Sequence, residues 1–206
     1  MALTRLTPQG CTSRCKALRG STTTLLTWYY TSRLATSVHT NHHCIPAFTA
    51  CCLPPLRQRG GGAAAGVQAL GRLDQDTTGL LVLSDDGKFI HRLTSPKHHV
   101  TKVYDITTKH AVDAQQIDKL LAGVVLDDSP KPVAAFAAEQ TGEYSLRLTL
   151  TEGKYHQVKR MLAAVSNRVE GLHRSQMGAL TLDSLPSGEW RWLTPQEVVA
   201  LSAKTT

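Results

Sequence analysis

The first 73 residues of this chain contain neither aspartate nor glutamate; all 16 acidic residues lie from Asp74 onward. Cysteine is skewed the other way, with its five copies (Cys11, Cys15, Cys44, Cys51, Cys52) all in the acid-free part. An odd number of cysteines, none in the patterned remainder, argues against a disulfide scaffold and fits a reducing compartment. Long apolar runs are missing too, which excludes a membrane-spanning helix and leaves the membrane out as an expected partner. The net charge of +7 follows from the missing acids. Eight basic residues precede Asp74 and fifteen follow it, so the sixteen acids leave the remainder close to neutral. The high isoelectric point is therefore no argument for nucleic-acid binding.

Residues 11–66 sustain neither a helical nor a strand period. Three explanations compete. An organellar transit peptide is Arg- and Ser-rich and poor in acids. A disordered basic tail fits the charge but not Trp28-Tyr29-Tyr30 or the Leu-Pro run at 53–56. Translation in a wrong reading frame scrambles composition and period together, and it accounts for most. The expectation is an atypical, poorly ordered segment over 1–66 and a folded domain over 67–206. The cluster His39, His42, His43, Cys44, Cys51 and Cys52 lacks paired Cys and His arms at zinc spacing, so no metal is expected.

From residue 67 the pattern is orderly. Leu80–Ser84 reads as a short buried strand closed by Asp85-Asp86-Gly87, and Lys88–Thr94 as a short helix ending before Pro96. Thr101–Thr107 alternates as a strand, with Lys102, Tyr104 and Ile106 on one face. Asp113 with Gln116 starts a helix that is expected to bury Ile117, Leu120 and Leu121 and to close at Gly123. Tyr144–Thr151 alternates as a half-buried antiparallel strand. Glu152-Gly153 turns into a helix over Lys154–Ala164. Strands near Val169–Arg174, Leu180–Leu182 and Trp190–Leu193 and a Thr194-Pro195-x-Glu197 capped helix complete the run. Long sheet runs with few helices predict an α+β domain on a mixed, mostly antiparallel sheet.

Three constellations could carry chemistry. Asp74 stands beside Arg72, ahead of a Thr/Gly turn and an apolar strand; an ionised carboxylate so placed can act as a nucleophile or stabilise developing positive charge. An inert surface ion pair is the plain alternative. A calcium loop is a further one, since Asp74-x-Asp76-x-Thr78-Gly79 with Asp85 at the twelfth position matches in part, but it has no terminal Glu and Val82 sits where an oxygen ligand is usual. Second, His156, Lys159 and Arg160 share a helix face by the i, i+3, i+4 rule. Their charge sits at the helix's N-terminal half, where it opposes the dipole, so these cations should answer to a ligand or a carboxylate. Third, Lys88, Arg92, Lys97, His98, His99 and Lys102 surround Tyr104, a mixture suited to phosphate contacts and base stacking, or merely to a solvated loop.

Gly71-Arg72-Leu73-Asp74, Leu80-Leu81-Val82-Leu83-Ser84-Asp85-Asp86-Gly87, Arg92-Leu93-Thr94-Ser95-Pro96-Lys97-His98-His99-Val100-x-Lys102-x-Tyr104 and Glu152-Gly153-Lys154-Tyr155-His156-Gln157-Val158-Lys159-Arg160-Met161 occur in that order. Together with Leu172-His173-Arg174, Met177-Gly178 and Gly188-Glu189-x-Arg191-x-Leu193-Thr194-Pro195-x-Glu197 they resemble the RsuA-type ribosomal RNA pseudouridine synthases over about 67–200. The Ser-Pro-Lys-His-His block resembles the small-subunit branch most.

The resemblance implies the pseudouridine synthase fold and, without a cofactor, isomerisation of a uridine in small-subunit (16S) ribosomal RNA. It makes Asp74 the residue acting at the glycosidic bond, Lys159 its basic partner, and Tyr104 the residue packed on the target base. Arg72, Arg92, Lys97, His98, His99, Lys102, His156, Arg160 and Arg174 are the implied RNA contacts. The expected partner is ribosomal RNA or a pre-ribosomal particle, met by a monomer in the cytoplasm, or in an organelle if residues 1–66 are a transit peptide.

Family members open their core with an apolar strand ending in Asn-Lys-Pro-x-Gly; the nearest match is Leu6-Thr7-Pro8-Gln9-Gly10. Neither the rest of that strand nor the small N-terminal RNA-binding (S4) domain has a counterpart, which implies an incomplete N-terminal part. The alternatives are an impaired RNA-binding remnant and a synthase for large-subunit RNA.

Overall fold

The structure is a computed structural model and describes residues 25–30, 68–84, 86–95, 98, 100–182, 185 and 190–202. A nine-stranded sheet dominates it. Strands β1 (Leu25–Tyr30), β2 (Gln68–Ala69) and β3 (Thr77–Ser84) precede helix α1 (Gly87–Thr94). Then come β4 (Lys102–Thr108), α2 (Ala114–Ala122), β5 (Val124–Leu126), β6 (Ser129–Val133), β7 (Ala137–Gly142), β8 (Ser145–Leu150) and α3 (Gln157–Ala164). The chain continues through β9 (Val169–Met177), β10 (Leu180–Thr181), β11 (Trp190–Trp192) and α4 (Pro195–Ser202).

The main path runs β11-β1-β3-β9-β4-β8-β7, with β2 on β3 and β10 on β9; β5 and β6 form a separate hairpin. Among the described strands only β3 and β9 pair in parallel, with Gly79 opposite Arg174; the other neighbours on the path are antiparallel. The mixed, mostly antiparallel α+β architecture is the expected one.

Local chemistry explains the elements. Asp86 caps α1, its Oδ1 accepting from the backbone N–H of Lys88 at 2.9 Å and of Phe89 at 3.2 Å. Asp113 accepts from the Gln116 N–H at 2.7 Å and starts α2, which Gly123 ends at φ 104°. Thr194 and Glu197 form the reciprocal cap of α4, with N–H to Oε2 at 2.7 Å and N–H to Oγ1 at 3.2 Å. Leu146, Leu148 and Leu150 on β8 are all buried, as the alternation requires. They join Ile106, Leu120, Met161, Leu162 and Leu172 in one core, between the sheet, α2 and α3. Leu70, Leu80, Val82, Phe89, Leu93 and Met177 belong to a second core with α1 and α4.

Three expectations change. Leu25–Tyr30 pair with β3 on one side and β11 on the other, so the acid-free segment supplies an interior strand and the 66/67 boundary does not divide the sheet. The remaining calls on 1–66, the His/Cys cluster included, lie outside the described residues. Leu121 is 41% exposed, so α2 buries Leu120 but not both leucines. Helix α3 begins at Gln157, not Lys154, because His156 before it adopts a left-handed conformation (φ 47°, ψ 34°).

Candidate active site

Asp74 sits in the loop joining β2 to β3. The Thr77 N–H donates to the Asp74 carbonyl at 2.9 Å and closes the turn. Beneath it lies Arg174, only 1% exposed. Its Nε donates to the Leu80 carbonyl at 2.8 Å and its Nη1 to the Arg72 carbonyl at 3.4 Å, pinning the loop to the sheet. Gly79 allows the same close approach, since a Cβ there would meet the Arg174 carbonyl oxygen at 2.2 Å. The carboxylate is thus mounted on a strand pair packed backbone to backbone.

A cleft of about 240 Å³ opens beside Asp74. Arg72, Lys102, Tyr104, Lys154, Tyr155 and Arg174 line it, over an apolar floor that includes Leu150, Val158 and Leu172. Burial, reinforced by the Arg174 charge, pushes the Lys102 ammonium down to about 8; its Nζ donates to the Val100 carbonyl at 3.0 Å. Glu152 also lines the cleft, 3.7 Å from Lys154 Nζ, so four cations (Arg72, Lys102, Lys154 and Arg174) face two carboxylates, a balance that favours an anionic ligand.

The three basic side chains at the start of α3 each reach a carboxylate. His156 Nε2 lies 3.6 Å from Asp74 Oδ1. Lys159 pairs with Asp76, and Arg160 with Asp128 in the β5–β6 turn. The charges that oppose the helix dipole are thus offset by acids from elsewhere in the chain. Burial works against the Asp76 charge, but the Lys159 hydrogen bond and charge prevail and hold its carboxyl below the usual range. The turn leading into α3 is locked by Gln157, whose buried Oε1 accepts from the Lys154 N–H at 2.8 Å.

The implied residues are sorted by this geometry. Asp74, Arg72, Lys102, Tyr104 and Arg174 line one cleft, and His156 touches the aspartate. Lys159 stands on Asp76 rather than on Asp74, one turn along α3 from the position a direct partner would take. Arg160 braces the hairpin through Asp128, and its Nε and Nη2 are buried. Arg174 is almost wholly buried under the loop while still lining the cleft. Arg92 is exposed on α1, and His98, whose N–H donates to the Ser95 carbonyl at 3.1 Å, sits beyond it; neither lines the cleft. Lys97 and His99 lie outside the described residues.

Residues 77–84 form strand β3, and Thr78 Oγ1 hydrogen-bonds His173 Nδ1 at 2.8 Å, so the calcium-loop spacing does not fold as a loop. Sequence reasoning missed Lys154 and Tyr155 as cleft residues, although both stand inside the Glu152–Met161 block.

The mixed sheet carries an aspartate loop above a cation-lined cleft, and comparison with known proteins supplies the family. The RNA pseudouridylate synthase family model matches residues 56–164, and the chain belongs to that family. It is 45% identical over 139 residues to the ribosomal small subunit pseudouridine synthase A of Haemophilus influenzae, covering 67% of this chain and 60% of that protein. The protein of the same description from Escherichia coli K12 is 43% identical over 136 residues, 66% of this chain and 59% of the relative. The matches thus span about 60% of these curated relatives' length.

A crystal structure of a pseudouridylate synthase superposes with a TM-score of 0.73 at 34% identity, covering 87% of this chain and 74% of that one. An H/ACA ribonucleoprotein bound to a substrate RNA containing 2'-deoxyuridine shares the fold alone, with a TM-score of 0.53 at 13% identity over 78% of this chain and 49% of that one.

Proposed function

We propose that this chain isomerises a uridine of small-subunit ribosomal RNA to pseudouridine, with Asp74 acting at the glycosidic bond. The observation that carries this reading is Asp74 on a rigid loop at a cation-lined cleft with Tyr104, in a chain whose curated relatives are described as small-subunit pseudouridine synthases. Breaking the N1–C1′ bond builds positive charge on the ribose. A carboxylate stabilises that charge, whether it attacks C1′ or removes a ribose proton. The freed uracil rotates and rejoins through C5. One C–N bond is exchanged for one C–C bond, C5 gives up a proton and N1 gains one, so no cofactor is called for.

Each wall of the cleft has a task in this chemistry. Tyr104 would pack on the uracil, and Leu150, Val158 and Leu172 would keep water from the reacting carbon. Arg72 and Lys102 would hold the phosphates of a nucleotide extruded from its helix, since the bond is unreachable in a stacked base. Lys159 would act through Asp76 to hold the loop that carries Asp74, a positioning role. We further propose a monomer acting in the cytoplasm on naked small-subunit RNA or a pre-ribosomal particle.

The test is incubation with small-subunit ribosomal RNA and with pre-ribosomal particles, followed by chemical mapping of pseudouridine. Modification at one site supports the reading. RNA binding without turnover would identify a remnant that keeps the cleft but not the reaction.

A further inference from the structure

One wall of the cleft is a continuous stack that the proposed chemistry does not use in full. The Tyr155 ring lies on the His156 ring, with centroids 3.9 Å apart and planes 19° from parallel. His156 in turn reaches Asp74 at 3.6 Å. The Arg72 guanidinium stands over Tyr155 with its Cζ 5.7 Å from the ring centroid. Tyr155 is nonetheless 61% exposed, a large aromatic held open to solvent at the mouth of the cleft.

Its orientation is fixed from both ends. The left-handed backbone at His156 and the Gln157 side chain on the Lys154 N–H set the turn that presents the ring. Arg72 is held through its carbonyl by Arg174. The His156 ring covers Tyr155 at van der Waals distance, whereas the Arg72 guanidinium stands off at 5.7 Å and leaves room to be widened. Stacked bases rise by about 3.4 Å, so a base between ring and guanidinium needs about 7 Å, and Arg72 would have to recede by only about 1 Å.

We infer that Tyr155 is a stacking platform for a nucleobase of the substrate RNA, received between its ring and the Arg72 guanidinium, and that its other face holds His156 against Asp74. The base is one beside the target uridine, because the target itself must enter the cleft at Asp74 and Tyr104. Aromatic and guanidinium faces are the common means of holding unpaired RNA bases, and they tolerate any base. The site would thus grip the flank of the extruded nucleotide without reading its sequence. This inference rests on the proposed RNA-modifying function.

The experiment uses the full chain and a small-subunit ribosomal RNA transcript substituted with 5-iodouridine, which photo-crosslinks to stacked aromatic rings. Crosslinked residues are mapped by mass spectrometry on the iodinated transcript, and Kd, KM and kcat are measured on the unmodified transcript, whose C5 carries the proton the reaction releases, for the wild type, Tyr155→Ala and Tyr155→Phe. A crosslink at Tyr155 is expected, with Kd and KM raised about fivefold or more in Tyr155→Ala and restored in Tyr155→Phe. A smaller fall in kcat should accompany the Ala change through loosened His156. Unchanged Kd and KM in Tyr155→Ala, or a Tyr155→Ala effect confined to kcat, would overturn the platform and leave only a prop for His156. If the wild type makes no pseudouridine, the proposed function fails, while the crosslink and Kd still decide the role of Tyr155.

Discussion

His156 Nε2 approaches Asp74 Oδ1 to 3.6 Å, while Lys159, one turn further along α3, is committed to Asp76. Two carboxylates of one loop are thus met by an imidazole and an ammonium of one helix start. The arrangement ties the loop that carries the reacting group to α3, and it neutralises cations that the helix dipole would repel. Removing Asp76 should therefore expose Lys159 to the dipole. Asp76→Asn is expected to cost about 0.5–1 kcal/mol of stability, and adding Lys159→Met should recover most of it. Thermal unfolding of the four members of the double-mutant cycle measures this; additive losses would refute the coupling.

Gly79 has a role beyond a turn. Its φ is +114°, and a Cβ would lie 2.2 Å from the Arg174 carbonyl oxygen, backbone that cannot rotate away. Gly79→Ala must separate β3 from β9 and shift the loop above Arg174. A loss of about 2–4 kcal/mol is expected, with pseudouridine formation falling more steeply than RNA binding. Denaturant unfolding and a paired activity and binding assay check both parts.

Lys102 should make stability depend on pH in an unusual direction. Burial lowers its pKa from 10.5 to about 8, so below 8 the folded state carries a charge it disfavours. The unfolded chain keeps its proton up to about 10.5. The penalty is full below pH 8, shrinks as pH rises from 8 to 10.5, and is gone above that. It amounts to about 3 kcal/mol at most, less about 1 for the Val100 hydrogen bond. Lys102→Met should thus be more stable than the wild type by about 1–2 kcal/mol at pH 7, while binding RNA less tightly. Equal stability of the two proteins at pH 7 would contradict the burial.

At the other end of the domain, Arg191 holds the Glu197 carboxyl down to about 2 through paired hydrogen bonds, with burial opposing. A depressed acid stabilises above its unfolded value, here 4.5, and the effect is lost as pH falls from 4.5 toward 2. Allowing for solvent screening, Glu197→Gln should cost about 1 kcal/mol at pH 7 and almost nothing at pH 2. Urea melts at the two pH values measure the difference.

Much of this was legible in residue order. Asp113 and the Thr194/Glu197 pair announced two helix starts because capping is local chemistry between neighbours in sequence. Leu146, Leu148 and Leu150 announced β8 because one covered face imposes a period of two. Strand β1 escaped notice because Leu25-Leu26-Thr27-Trp28-Tyr29-Tyr30 has no apolar–polar alternation in its sequence to find. The hairpin of β5 and β6 was missed because its strands are three and five residues long. Asp74 was found from its neighbours Arg72 and Leu80–Ser84. That Lys159 would choose Asp76 over Asp74 depends on how α3 meets the loop across 83 residues of sequence. The left-handed turn at His156, which moves the helix start by three residues, has no local marker such as glycine.

The most direct test of the central claim is pseudouridine mapping on small-subunit ribosomal RNA treated with the wild-type chain and with Asp74→Asn, alongside RNA binding by both. A single modified uridine is expected with the wild type, and at least about a thousandfold less product with Asp74→Asn, which should bind RNA within a few-fold of the wild type. Product formed equally by both proteins would contradict the assignment of Asp74, and product formed by neither, with binding intact, would contradict the catalytic function.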